Sequence, residues 1–177
     1  MQKFARFFLL LLSLVLLVSF ITVKNEKIKI KWITLTELKS AYAKKHKPIL
    51  IDVYTSWCGW CKVMDRETYT NEKVAGYINE NFYAVKFDAE TTDSVSFGTK
   101  KYGYNAASRV NELANFLLFG RLGYPTTVFL STIDAQPAPI SGYLKPAEIE
   151  PPLKYFGGGA YKKQDYNDFM KVFAASW

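Results

Sequence analysis

The sequence predicts an α/β fold in one domain. Two observations carry this. Apolar runs of strand length, Pro48 to Tyr54 and Phe82 to Phe87, are separated by helical patterns, so the second strand must run parallel to the first. No internal repeat and no long linker divides the 177 residues, and an apolar fraction of 49% suits a globular chain with a sizeable core.

The elements follow in order. Lys24 to Lys31 reads as a charged tether ending in a short strand at Ile28-Lys29-Ile30. Thr34-Leu35-Thr36-Glu37 has the form of a capping box, and Leu35, Leu38 and Tyr42 then repeat at helical spacing to about Lys45. Pro48 opens the first central strand. A helix follows Cys61 to about Thr68, and a second starts near Asn71 with Val74, Tyr77 and Ile78 inward. After the strand Phe82 to Phe87, the polar stretch Thr91 to Asn105 reads as an inserted loop or small hairpin. Val110, Leu113, Phe116 and Leu117 mark the next helix, which Gly120 stops. Pro125 to Leu130 is a strand, and Asp134-Ala135-Gln136 is a turn. Ala138 to Tyr143 is a strand whose flanking prolines place it at a sheet edge. Pro146 opens a helix that Pro151-Pro152 should interrupt, Gly157-Gly158-Gly159 reads as a flexible break, and Tyr166, Phe169, Met170 and Phe173 line a last amphipathic helix.

The N-terminus reads as a targeting or anchoring segment. Lys3 and Arg6 precede an apolar run from Phe7 to Val23, at the lower limit for a membrane span and slightly long for a signal core. No good small-x-small cleavage site follows, which favours an uncleaved anchor over a cleaved signal. The division expected is a segment over 1–31 and a folded domain over 32–177, with an insertion at about 91–120. The net charge of +7 comes from scattered lysines, without the basic and aromatic interleaving of a nucleic-acid platform, so it reads as solvated surface.

Cys58-Gly59-Trp60-Cys61 holds the only two cysteines. It lies between a predicted strand and a predicted helix. The N–H groups and partial positive charge at a helix start favour a thiolate there. Structural zinc wants four ligands, and beyond this pair the chain offers only His46, so a zinc site within one chain is disfavoured; one shared between two chains stays open. A disulfide closing four residues removes little chain entropy and makes a poor staple. Two buried, inert thiols are disfavoured by the flanking Gly59 and Trp60, and a dithiol at a strand-to-helix junction is placed for redox exchange. Cys58 at the helix start should be the less covered, nucleophilic sulfur, and Cys61, one turn inward, the resolving one. Asp52 on the preceding strand reads either as a buried carboxyl, pushed toward neutrality and able to take and give a proton, or as a strand-end residue facing solvent.

In these residues the chain resembles the thioredoxin superfamily, over roughly Thr34 to Phe156. Asp52-Val53-Tyr54-Thr55-Ser56-Trp57-Cys58-Gly59-Trp60-Cys61-Lys62 is similar to the family's active-site strand and turn. Val85-Lys86-Phe87-Asp88 resembles its strand with a buried lysine. Gly123-Tyr124-Pro125-Thr126 resembles its cis-proline loop, and Gly142 the glycine after its last strand. The nearest likeness is the exported branch that includes the C-terminal domain of the DsbD electron conductor. The resemblance implies a thioredoxin fold: a central mixed sheet flanked by helices, here with an inserted segment before the cis-proline loop. Trp60, where thioredoxin has proline, and the insertion are departures.

The resemblance also implies roles. Asp52 becomes a buried base for Cys61, and Lys86 its ion-pair partner on the neighbouring strand. Alternation along Tyr83-Val85-Phe87 leaves a second reading open, with Lys86 facing solvent. Pro125 is expected to be cis, turning the Tyr124 backbone toward an extended substrate segment beside the dithiol. Trp57, Gly59, Trp60, Tyr124, Pro125 and Thr126 are the expected substrate contacts. No metal and no cofactor beyond a Cys58–Cys61 disulfide is implied. The partners expected are proteins carrying thiols or disulfides and a membrane electron donor, with no nucleic acid, in an exported, periplasmic setting and with a possible tether through residues 7–23. No His lies between the cysteines, and with Asp52 this leans toward a reductant, nearer thioredoxin at about −270 mV than strong oxidants at about −120 mV. The alternative is a binding module of the same fold that docks a partner or Cu(I) without turnover.

Overall fold

The most apolar run becomes the centre of the sheet. In a computed structural model that describes residues 27–177, β2 (Ile49–Tyr54) has Ile49, Leu50, Ile51 and Val53 without solvent contact. β3 (Tyr83–Asp88) lies parallel to it, with Ile51 opposite Val85 and Asp52 opposite Lys86. β8 (Thr126–Leu130) lies antiparallel on the other side, with Thr127 opposite Asp52. The short β1 (Trp32–Ile33) pairs parallel with β3, and β9 (Ala138–Ser141) closes the far edge antiparallel to β8. The order β1-β3-β2-β8-β9 is the mixed sheet expected, and the proline-flanked strand sits at its edge.

The two-residue period of the strands divides the core. One face carries Ile49, Ile51, Val53, Val85, Phe87, Val128 and Leu130, covered by Leu38 and Tyr42 of α1 (Leu35–Lys44). The other carries Leu50, Ala84 and Phe129. It is covered by Met64 of α2 (Gly59–Glu67), Val74 and Ile78 of α3 (Glu72–Asn81), and Ile149 and Leu153 of α5 (Pro146–Gly157). The helix starts follow their caps. Thr34 and Glu37 form the capping box of α1, and the Asn71 side chain accepts the N–H groups of Lys73 and Val74. In α3, Val74 and Ile78 are buried as expected, and Tyr77 is half-buried.

Several expectations are corrected. Ile28 to Ile30 is not a strand. The Lys31 N–H donates to the Asn79 side chain at 2.8 Å, and the Asn79 amide donates to the Lys29 carbonyl at 2.8 Å, so this backbone is satisfied by one side chain instead of a ladder. The helix expected from Val110 begins later, as α4 (Glu112–Leu117), with Asn111 as its cap. Val110 lies instead in a hairpin of β6 (Tyr104–Asn105) and β7 (Val110–Asn111), next to the hairpin of β4 (Val95–Phe97) and β5 (Lys100–Tyr102). Gly120, past α4, has φ +72°, the left-handed conformation that suits its place as a stop.

Pro151 and Pro152 do not interrupt α5, which runs unbroken through both. Burial of Ile149, Pro152 and Leu153 along one side outweighs the lost hydrogen bonds. Gly157 is no flexible break. A Cβ there would lie 2.7 Å from the Phe82 ring and 2.9 Å from the Tyr77 ring, so glycine is needed for close packing. A short 3-10 turn (Ala160–Lys162) and α6 (Tyr166–Val172) follow, with Tyr166 and Phe169 against the Tyr155 ring at 5.2 and 5.4 Å.

Among the described residues no helix is long and apolar enough to cross a membrane. The apolar run expected to be an anchor, residues 7–23, lies outside the described residues.

Candidate active site

The strand β2 ends at Tyr54, and the chain turns through Thr55 to Trp57 before α2 begins. The Cys58 N–H donates to the Thr55 carbonyl at 3.2 Å, which closes that turn. Cys58 is the N-cap residue of α2, and its Sγ accepts the Cys61 N–H at 3.1 Å. The helix start therefore directs a backbone dipole at this sulfur. Cys58 and Cys61 are joined as a disulfide, with Cα atoms 5.3 Å apart. The expectation that Cys58 is less covered is corrected: each cysteine is 4% exposed. Bonded to one another, each sulfur shields the other.

Exposure at the site belongs to the tryptophans, Trp57 at 65% and Trp60 at 62%. Both are held. The Trp57 indole N–H lies 3.0 Å from each carboxylate oxygen of Glu90, and its ring meets Tyr124 edge to face at 6.1 Å. Trp60 stacks on Tyr143 at 5.8 Å, and the Tyr143 hydroxyl donates to Glu67 at 2.8 Å. That bond raises the Tyr143 phenol above its ordinary range, and hydrogen bonds from Arg66 and then Tyr143 hold the Glu67 carboxyl below its own. A Cβ on Gly59 would meet nothing within 4 Å, so the space beside this glycine is open.

The Tyr124–Pro125 bond is cis, as the resemblance implies. Thr126 lies next to it but does not reach the surface. It is fully buried, and its hydroxyl donates to the Gly123 carbonyl at 2.8 Å and meets the Ser141 hydroxyl at 3.1 Å, so it shapes the loop instead of facing a substrate.

Asp52, on the strand that leads into the dithiol turn, is 2% exposed. It points to the sheet face that α2 covers, the face on which Cys61 and Met64 are buried. Burial pushes its carboxyl up to about 7; the Lys86 charge opposes this, and the Asp65 charge adds to it. Its Oδ1 has no hydrogen-bond partner among the described residues. Lys86, opposite it in register, shares its face. Lys86 is half-buried beside α2, between Asp52 and Asp65, instead of projecting freely into solvent. Its Nζ is 3.8 Å from Asp52 Oδ2 and is bonded directly to Asp65 Oδ1 on α2. Tyr69, in the turn after α2, approaches the Thr127 hydroxyl at 3.4 Å; burial, and then the Asp52 charge, raise its phenol well above 10.

Asp65, Tyr69, Glu90 and Tyr143 were not singled out from sequence. Only Asp65 left a local signal, four residues after Cys61 on one side of the same helix. The other three come from outside α2 and carry no motif.

Comparison with known proteins agrees with this geometry. The family described as Thioredox_DsbH, protein of unknown function, DUF255, matches residues 17–155. Uncharacterized protein B0495.5 of Caenorhabditis elegans is 36% identical over 102 residues, 57% of this chain and 12% of its own length. The thiol:disulfide interchange protein DsbD of Pectobacterium atrosepticum is 23% identical over 124 residues, 69% of this chain and 18% of its own. This chain thus spans only a small part of either relative. The solution structure of a thioredoxin from Thermus thermophilus matches at a TM-score of 0.56 and 17% identity, over 76% of this chain and 94% of that one, which shows the fold. With a thioredoxin fold, a bonded Cys58–Cys61 pair and a family match over most of its length, the chain belongs to the thioredoxin-like DsbH (DUF255) family.

Proposed function

We propose that this protein is a thiol–disulfide oxidoreductase that reduces disulfides in protein substrates. One observation carries the reading: a dithiol pair lies at the N-terminus of α2, the helix that covers the sheet face holding Asp52, a carboxyl group that burial pushes up to about 7. In the reduced enzyme the Cys58 thiolate attacks one sulfur of a substrate disulfide. A Cys58–substrate bond forms, and the other substrate sulfur leaves and takes a proton. Cys61 then passes its proton to the Asp52 carboxylate and attacks Cys58 Sγ. The mixed disulfide breaks, the second substrate thiolate leaves, and Cys58 and Cys61 end as the disulfide described above. Two electrons pass to the substrate. A carboxyl near 7 suits this transfer because it takes and returns a proton at working pH.

Lys86 supplies the cationic end of the carboxylate's surroundings. The exposed faces of Trp57 and Trp60, the open space over Gly59 and the Tyr124-Pro125 backbone form the substrate-facing surface. The oxidised pair requires re-reduction by a dithiol donor. We assign this to a membrane protein outside the cytoplasm; the DsbD relative and the apolar run at residues 7–23 support that placement. The dithiol potential is expected close to thioredoxin's, about −270 mV.

Insulin reduction with dithiothreitol as donor tests the reading. Cys58→Ser abolishes turnover, and Cys61→Ser accumulates a mixed disulfide with substrate that non-reducing gels and mass spectrometry detect. Full activity in both variants, or stoichiometric Cu(I) retention by a wild-type protein without turnover, would overturn it.

A further inference from the structure

The Lys86 ammonium stands between two carboxylates and sits with the outer one. It is bonded directly to Asp65, whereas Asp52 Oδ2 lies 3.8 Å away and Asp52 Oδ1 has no partner among the described residues. Its position is defined from the sides as well, with Nζ 5.7 Å from the Trp32 ring and 5.2 Å from the Tyr54 ring. Solvation favours this arrangement. The side chains of Lys86 and Asp65 are 26% and 41% exposed, so their pair keeps part of its water, while a full pair with Asp52 would draw the ammonium into the interior. A cleft of about 340 Å³, with Trp32, Asp65, Tyr69 and Lys86 in its wall, opens beside them. Asp65 follows Cys61 by four residues, so one face of α2 brings in both the inner sulfur and the carboxylate that competes for Lys86.

We infer that Asp65 is a positioning residue, which holds the Lys86 ammonium at the mouth of this cleft and so keeps it 3.8 Å from Asp52 instead of in direct contact, leaving Asp52 able to carry the proton of Cys61. The inference rests on the dithiol reading for its purpose but not for its test. The groups facing Asp52 are Lys86 from β3, Asp65 from α2, Tyr69 from the turn after α2 and the uncharged Thr127 from β8. Without Asp65, Lys86 is free to close on Asp52. An opposite charge within about 4–6 Å lowers a carboxyl by about one to three pH units, so Lys86 already lowers Asp52 from 3.8 Å, and closing to contact while the Asp65 charge is lost lowers it further.

The test is a carboxyl titration of the full oxidised chain in detergent, followed by ¹³C NMR of labelled aspartate with Asp52→Asn to assign the resonance. Asp65→Asn is expected to move the Asp52 titration down by about one pH unit or more, and Asp65→Glu to restore it. In a Lys86→Met background, the same Asp65→Asn change should produce less than half that shift, because only the direct repulsion between the two acids is then removed. Lys86→Gln serves as a second neutral background if the Met variant does not fold. The pH profile of insulin reduction should move the same way with Asp65→Asn. No shift, or equal shifts with and without Lys86, would overturn the inference. Oxidised protein needs no turnover for this measurement, so a wild type inactive on insulin refutes the proposed function and leaves the titration standing.

Discussion

Asp52 couples the proposed chemistry of the site to the stability of the chain. Its carboxyl has an ordinary value of 3.8 and is raised to about 7 by burial. The folded state therefore holds the proton more tightly than the unfolded state does. The associated stability is fully present below about pH 4 and is lost as pH rises through about 7. At about 1.4 kcal/mol per pH unit the loss amounts to a few kcal/mol. Asp52→Asn, neutral at every pH, should raise the unfolding free energy at pH 8 by that order and change it little at pH 4. Urea unfolding at the two values measures it, and an equal effect at both would exclude the titration as the cause. At this scale much of the site was legible. Cys58, Cys61 and Asp52 lie within one strand and turn, so their spacing places them. Lys86 was ambiguous, because alternation shows which residues share a face but not whether that face is covered. Glu90 and Tyr143 act through tryptophans far from them in sequence, and nothing local marks them.

Among the elements, α5 shows where local rules stop. Two prolines inside a helix remove two N–H donors, at about 3 kcal/mol each for an isolated helix. The helix persists because its buried side is anchored by Ile149 and Leu153 against the sheet. Its end is set by contact as well. Gly157 lies under the rings of Phe82 and Tyr77, and an added methyl would meet atoms at 2.7 and 2.9 Å. Gly157→Ala should therefore lower stability by about 1–3 kcal/mol through overpacking, read from the shift in urea midpoint. A site that served only as a hinge would gain stability instead from the stiffer unfolded chain. Capping residues, by contrast, were reliable from sequence: the side chains of Thr34, Glu37 and Asn71 bond only within three residues of themselves.

For the whole molecule, the segment expected as an insertion is part of the core. Phe97, Val110, Leu113 and Leu117 pack with Ile51, Val53 and Phe87 of the central sheet. Phe97, 5% exposed, sits in a hairpin that pairs with no strand of that sheet, yet Phe97→Ala should cost about 3–5 kcal/mol. A loss below about 0.5 kcal/mol in denaturant unfolding would mark the hairpin as a peripheral loop. By itself the sequence determined the α/β order, the parallel pairing of β2 with β3 and the dithiol at a strand-to-helix junction, because these follow from periodicity and spacing along neighbouring residues. Only the tertiary structure decided that Lys86 sides with Asp65, that Thr126 is buried, and that Glu90 and Tyr143 hold the two tryptophans. Each of those depends on distances between elements remote in the chain, and a hydrogen bond or ion pair exists only where packing brings both partners within a few ångströms.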